Sequence, residues 1–300
     1  MGVGNVCLSL FFRRLRRMDD RQLPLFAGTD LAERIENAER TMITEAAEAA
    51  ARRNPEGRCF VMPLAGGVAA WAGEGSPLNK VAGLGFGGAV DEGDLAAIEQ
   101  AYAERGAPVQ VELSTAGDPS IGALLTRRGY VLMGFENVLA LGLEPGREAV
   151  LARSVEIRDS PESEFDLWLD LVVTGFASPD TQGVASPEEF PREVMESAMR
   201  DCMAANGFVR SLALHDGVPA GGGSLRLHAG VAQLCGAATI PSLRRRGIQS
   251  SLLEARLATA AAAGSDVAVV TTQPGSKSQQ NVQRQGFELV YARAVLVREP

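Results

Sequence analysis

Three hundred residues are more than a single core needs, so two domains are expected. With 46% hydrophobic and 22% charged residues, the chain has the make-up of an ordinary globular protein rather than a disordered or membrane-spanning one. A formal net charge of −8, with no long basic tract, argues against nucleic acid as a partner.

The chain opens with an apolar run, residues 6–12, followed by Arg13, Arg14, Arg16 and Arg17. A signal peptide places its charges first, and the run is too short to span a bilayer. Val6 stands where myristoylation needs Ser or Thr. The reading is a start at Met18, a disordered extension over 1–25, and a cytoplasmic protein that engages no membrane. Residues 30–53 follow with helical Leu, Ile and Ala spacing, Asp30 serving as N-cap. Strands are expected at 59–64, 67–72 and 81–86, a helix at 92–104, a strand at 109–113 and a short helix at 119–128. Residues 130–141 read as a strand or hairpin, and Pro145-Gly146 as the linker.

The second half begins with a strand at 155–158 and helices at 162–173 and 188–203, separated by a turn-forming stretch at 177–183. An antiparallel meander follows at 208–214, 224–227 and 231–240. Then come a helix at 247–263 stopped by Gly264, a strand at 267–271, a short helix at 276–284 and a final strand pair after Gly286. The halves repeat. Gly106 before one strand matches Gly264 before another, and Gly129-Tyr130 matches Gly286-Phe287, at offsets of 158 and 157 residues.

Cys7, Cys59, Cys202 and Cys235 lack metal-ligand spacing, and His215 and His228 are the two histidines, so no metal site is expected. The chemistry concentrates at Arg244, Arg245 and Arg246, which stand just before a strongly helical run. Cations oppose the dipole at a helix N-terminus unless an anion meets them there. Gly247 lets the backbone turn so that first-turn N–H groups point outward, which makes a phosphate site.

The stretch from Ala237 to Gln249 resembles motif A of the GNAT N-acetyltransferase superfamily, matched here as Arg244-x-x-Gly247-x-Gln249, with Gln249 replacing the family's small residue. Residues 274–287, closing on Gly286-Phe287, resemble its motif B. The resemblance implies an α/β (α+β) fold: two GNAT-like domains, each a mixed, mostly antiparallel twisted sheet flanked by helices, over 26–147 and 150–300. It implies splayed strands at 231–240 and 267–271, the first pairing with pantetheine through Ala238, Thr239 and Ile240. Backbone groups of Arg244, Arg245, Arg246, Gly247, Ile248, Gln249 and Ser250 would hold the pyrophosphate of acetyl-CoA. An amide at Thr239 or Ile240 would polarise the thioester carbonyl.

The family's motif B tyrosine falls on Val282, so that acid cannot be carried over. Ser278 and Asn281, three apart on the short helix, could share a face toward CoA, or be a helix cap and a solvated residue. Thr239, Ser278 and Asn281 are the catalytic candidates. Glu162, Glu164, Asp166 and Asp170 read as a solvated helix face; Asp180, Glu188 and Glu189 are better placed to meet an amine. In the first half the arginine loop is replaced by Asp91, Glu92 and Asp94, which suit capping and repel phosphate. That half is expected to be a degenerate copy that completes the substrate cleft. The expected activity is direct acetyl transfer to the primary amine of a small molecule or peptide by a monomer or homodimer. The alternatives are a non-catalytic acyl-CoA-binding module and an acyltransferase for longer acyl groups.

Overall fold

The computed structural model describes residues 25–178 and 190–300. Asp180, Glu188, Glu189 and nearly all of the expected extension lie outside the described residues. The elements in chain order are α1 (Thr29–Arg53), β1 (Phe60–Leu64), β2 (Gly67–Trp71), β3 (Lys80–Ala82), α2 (Glu92–Ala103), β4 (Val109–Ser114), α3 (Pro119–Arg127) and β5 (Val131–Gly142). The second half continues with β6 (Val155–Asp159), α4 (Phe165–Phe176), α5 (Arg192–Met203), β7 (Phe208–His215), β8 (Val218–His228), β9 (Val231–Thr239), α6 (Ile248–Ala262), β10 (Val267–Thr272), α7 (Lys277–Gln283) and β11 (Glu288–Arg298).

The strands form one sheet in the order β1-β2-β3-β4-β11-β5-β10-β9-β8-β7-β6. The pairs β3–β4 and β9–β10 are parallel and the others antiparallel. This is the mixed, mostly antiparallel α/β arrangement expected. The repeat is equally visible: β4 and β10 start 158 residues apart, α3 and α7 158, and β5 and β11 157. Alternation along the strands assigns the faces. In β2, Val68 and Ala70 pack with Ile43, Ala46 and Ala50 of α1, while Ala69 and Trp71 pack with Leu95, Ile98 and Tyr102 of α2. In β10, Val267 and Val269 meet Ala32 and Ile35 of α1, and Ala268 meets Leu253 and Leu257 of α6. Thus α1, α4 and α5 cover one face; α2, α3, α6 and α7 cover the other.

The halves exchange their last strands. β11 pairs with β4 through Arg293–Arg298 and Val109–Ser114, inside the first half's part of the sheet. In return β5 pairs with β10, Val267 opposite Gly142 and Thr272 opposite Asn137. Leu139 and Leu143 are therefore part of the second half's core, and Leu296 part of the first's.

Four local expectations are corrected. The strand expected to run to Phe86 stops at Ala82, where the chain turns beneath Arg40 of α1. The strand expected at 224–227 starts at Val218, because Gly221, Gly222 and Gly223 pair along β9 despite lacking strand propensity. The final strand pair is one strand, β11, whose neighbours come from the first half. Gly28, rather than Asp30, is the N-cap of α1, and Asp30 lies in its first turn.

Candidate functional site

β9 and β10 pair from Val231–Gln233 against Val267–Val269 and then part. Beyond that point β9 is held on its other side by β8, with a bulge between the Ser224–Cys235 and Gly223–Ala237 pairs. Ile240 N–H donates to Ala220 at 3.0 Å. Bonded and non-bonded pairs alternate in an antiparallel ladder, so the backbone groups of Thr239 and Ala237 point away from β8, toward the gap. The Ile240 amide is spent on the ladder, so of the two amides expected to polarise a carbonyl, Thr239's is the one facing the gap. Side chains agree with this orientation: Arg244 Nε donates to Thr239 O at 3.3 Å and Gln249 Nε2 to Ala237 O at 3.5 Å.

The gap opens into a cleft of about 300 Å³. Gly236 and Ala237 of β9 line one wall, Gln249, Ser250 and Leu253 of α6 another, and Ser278, Asn281 and Val282 of α7 a third. Ser278 and Asn281 thus share a face of α7 toward the cleft. Ser276, rather than Ser278, caps α7, accepting from Gln279 N–H at 3.2 Å. Val282, at the family's tyrosine position, is buried in the core beside Leu253 and Phe287. Ala238 packs under α4 with Trp168 and Val172. Thr239 Oγ1 is buried with no hydrogen-bond partner among the described residues.

The arginine loop divides its labour. Arg244 turns inward, its Nη2 donating to Gly175 O at 3.0 Å and to Ser178 O, which ties the loop to the carbonyl end of α4. Its backbone N–H points to Pro241 O at 3.4 Å in the preceding turn, so Arg244 positions the loop through its side chain. Arg245 and Arg246 are exposed and form no ion pair among the described residues. Arg245 adopts φ +64°, a left-handed geometry uncommon for a non-glycine residue, and Gly247 takes φ +80° as N-cap of α6. No side chain caps α6. Its first-turn N–H groups, at Ile248, Gln249 and Ser250, have no intrahelical acceptor and lie at the positive end of the helix dipole.

The equivalent helix in the first half is closed by its own carboxylate. Asp91 Oδ1 accepts from Gly93 N–H at 2.8 Å and from Asp94 N–H at 3.0 Å at the start of α2. A carboxylate there takes the donors an anion would use and repels it. Replacing Asp91 by Ala is expected to cost about 0.5–2 kcal/mol, the usual loss for an N-cap. Chemical denaturation should show that loss while the second half's ligand affinity stays unchanged.

The remaining candidates have structural partners. Glu162, Glu164, Asp166 and Asp170 pair with Arg210, Arg158, Arg200 and Arg192. His215 bridges Ser154 at 3.3 Å and Asp216 at 3.1 Å, and burial holds the His228 imidazole below its ordinary value. Burial pushes the Cys235 thiol up, away from nucleophilic thiolate. Sequence reasoning missed Phe176, Thr271 and Arg256, all in the cleft wall. Arg256 had a signal: a charge among the apolar positions Leu252, Leu253, Leu257 and Ala260 of one helix. Every residue lining the cleft falls between 176 and 285, so the first half adds no side chain to that wall. No cluster of His, Cys, Asp or Glu among the described residues could hold a metal ion, and none of their helices is long and apolar enough to cross a membrane.

A family model described as "Acetyltransferase (GNAT) family" matches residues 176–287. A search of curated proteins finds no match. Among solved structures, a GCN5-related N-acetyltransferase from Kribbella flavida is similar at TM-score 0.58 and 19% identity, over 85% of this chain and 95% of that one. A tandem GNAT protein from the clavulanic acid biosynthesis pathway is similar at TM-score 0.54 and 14% identity, over 78% of each chain. A GCN5-related N-acetyltransferase from Sphaerobacter thermophilus gives 0.52 and 15%, over 80% of this chain and 76% of that one. At these identities the likeness is one of fold, and it extends over both halves.

Proposed function

We propose that this chain is a GNAT-type acyltransferase, a reading supported by the family match over residues 176–287, and that it transfers an acetyl group from acetyl-CoA to a primary amine of a small molecule or peptide. The division of labour proposed is a catalytic second half, 150–300, and a first half, 26–147, that is a degenerate copy without a CoA site. The observation that carries the reading is the uncapped, Arg-flanked start of α6 opening onto the β9–β10 gap, set against the Asp91-sealed start of α2.

Arg245, Arg246 and the first-turn amides of α6 supply positive potential and directed donors suited to a pyrophosphate. The gap-facing backbone of Ala237 and Thr239 offers N–H donors to pantetheine carbonyls, as a sheet edge does to an added strand. Acetyl-CoA supplies an activated acyl carbonyl. Ala237 N–H, on the gap-facing residue of β9 that lines the cleft, is the amide placed to stabilise charge on that oxygen. In the transfer a C–N bond forms and a C–S bond breaks, and the proton released by the amine ends on the thiolate. With valine at 282, Ser278 and Asn281 are the polar side chains that α7 presents to the departing sulfur.

Calorimetric titration of acetyl-CoA into the full chain is expected to give one site. Ser250→Asp places an acidic group in the first turn of α6, which favours the helix and opposes phosphate. It should weaken acetyl-CoA binding roughly tenfold or more, about 1.4 kcal/mol per decade, while the melting temperature holds or rises. Two sites, or unchanged affinity in Ser250→Asp, would overturn the loop assignment. Tight binding without turnover on any amine would favour a non-catalytic acyl-CoA module, the reading to which Val282 lends weight.

A further inference from the structure

Three arginines are almost wholly buried: Arg226 at 0% exposed, Arg293 at 2% and Arg256 at 4%. The first two meet carboxylates, Arg226 with Glu45 at 3.1 Å and Arg293 with Glu36 at 2.7 Å. Arg256 has no such partner among the described residues. Its Nε donates to Leu252 O at 3.0 Å, and its Nη1 to Ser224 O at 3.1 Å and Cys235 O at 3.3 Å. Nη2 has no acceptor among the described residues and is not fully enclosed. The guanidinium lies against Gly223 of β8, where an added Cβ would stand 3.3 Å from Nε. The space it occupies therefore depends on that glycine. Burial pulls the group down to about 10, which leaves it a cation at neutral pH.

A buried charge met only by carbonyl dipoles is costly unless a counter-charge arrives. The open side of Arg256 is the cleft, whose wall it shares with Leu234, Gly236 and Val270. Leu234 and Val270 directly follow the last paired residues, Gln233 and Val269, and so mark the floor of the gap. Arg256 is nine residues along α6 from Gly247, about 13 Å at the helical rise, so phosphate loop and buried cation stand at opposite ends of one cleft.

We propose that Arg256 recognises a carboxylate at the far end of the acyl group, so that the cleft also takes, and binds more tightly than acetyl-CoA, a short dicarboxylic acyl half-thioester of CoA. This deepens the acyl-CoA reading above and rests on it. The transfer is the same: the thioester C–S bond breaks, the C–N bond forms, the amine proton passes to the thiolate, and the distal carboxylate is unchanged. A carboxylate matches the guanidinium in charge and fork geometry, whereas a methyl or propyl end leaves Nη2 without an acceptor.

The experiment is calorimetric binding of CoA, acetyl-CoA, butyryl-CoA and succinyl-CoA to the full chain. Butyryl and succinyl groups have the same length and differ in the terminal carboxylate. Succinyl-CoA is expected to bind at least about tenfold tighter than butyryl-CoA. Arg256→Met should bring that ratio near one, and Arg256→Lys should keep part of it. Equal or weaker succinyl-CoA binding in the unaltered chain overturns the inference without needing a variant. A preference kept in a folded Arg256→Met chain overturns the assignment to Arg256. Failure of CoA and all three thioesters to bind overturns the reading beneath it, and this inference with it.

Discussion

Expressed alone, residues 150–300 are expected to lose the cooperative thermal transition of the full chain. The fragment lacks β5, the partner of β10 over six residues. It also loses Val138, Leu139 and Ala140, all fully buried, together with Leu143. At roughly 1.5–3 kcal/mol for a fully buried large apolar side chain, these residues supply about 6–10 kcal/mol, comparable to the entire stability of many domains. Circular dichroism melting compares three chains: 1–300, 150–300 and 131–300. The last keeps β5 and with it the seven-strand run β11-β5-β10-β9-β8-β7-β6, and it should regain part of the lost cooperativity. It still lacks α1, whose Ala32 and Ile35 cover Val138, Val267 and Val269, so full stability is not expected. If 150–300 melted cooperatively at the temperature of the full chain, the exchange of strands would not be what holds the second half together.

Arg293→Met is expected to destabilise the chain by about 3–5 kcal/mol, the usual result of removing one partner from a buried ionic group. Arg293 stands on β11 of the second half, between β4 and β5 of the first. Its Nε reaches Glu36 of α1 at 2.7 Å, while Nη1 faces Glu136 of β5 at 3.7 Å and Glu112 of β4 at 3.9 Å. Tyr291 OH donates to Glu36 at 2.6 Å, and Lys80 pairs with Glu112 at 2.6 Å. Carboxylates outnumber cations here, and one oxygen each of Glu36, Glu112 and Glu136 already lacks a hydrogen-bond partner.

Burial drives the Glu112 carboxyl up, but Lys80 and Arg293 outweigh it and hold it below its ordinary value. Burial, reinforced by the charge of Glu112, pushes Glu136 up to about 7. Without Arg293 both groups protonate more readily, and a neutral carboxyl no longer needs the missing cation. The penalty should therefore be full only at a pH above the variant's raised Glu136 value, itself higher than about 7, and shrink as pH falls from there and Glu112 in turn protonates. Urea titrations at two pH values would measure it, and Glu36→Gln in the same background should restore part of the loss. A penalty independent of pH, or one within the scatter of the parent chain, would remove the network from the account of stability.

The loop at 244–249, the helix behind it and the short polar helix after it were legible in the sequence because their signals are local. Three arginines before a helical run, a glycine at the turn and a 3.6-residue period need no knowledge of distant strands. The repeat was legible for the same reason: equal spacing of glycine-closed units survives even where identities do not. The contrast between an open and a sealed helix start followed from Asp91 against Gly247, one residue at each N-cap.

Tertiary structure decided what depends on partners. Nothing in the apolar pattern of 131–142 or 288–298 says which half the strand will join, because a backbone ladder accepts either neighbour and the cross-strand contacts are equally apolar. That choice replaced an expected closing strand pair with an exchange across the middle of the sheet. Arg244, Arg245 and Arg246 are alike as residues, yet the fold turns the first onto the end of α4 and leaves the other two exposed. Glu36, Lys80, Glu112, Glu136 and Arg293 span most of the chain, and the sheet alone makes them neighbours. Arg256 drew no reading from the sequence; Gly223 and the parting of β9 from β10 place its charge at the floor of the cleft. The sequence by itself determined where the proposed anion site falls, since that rests on one turn of backbone. Where the strands go, and what lies beneath the proposed anion site, was decided by long-range packing, because each such contact joins residues whose local environments carry no record of one another.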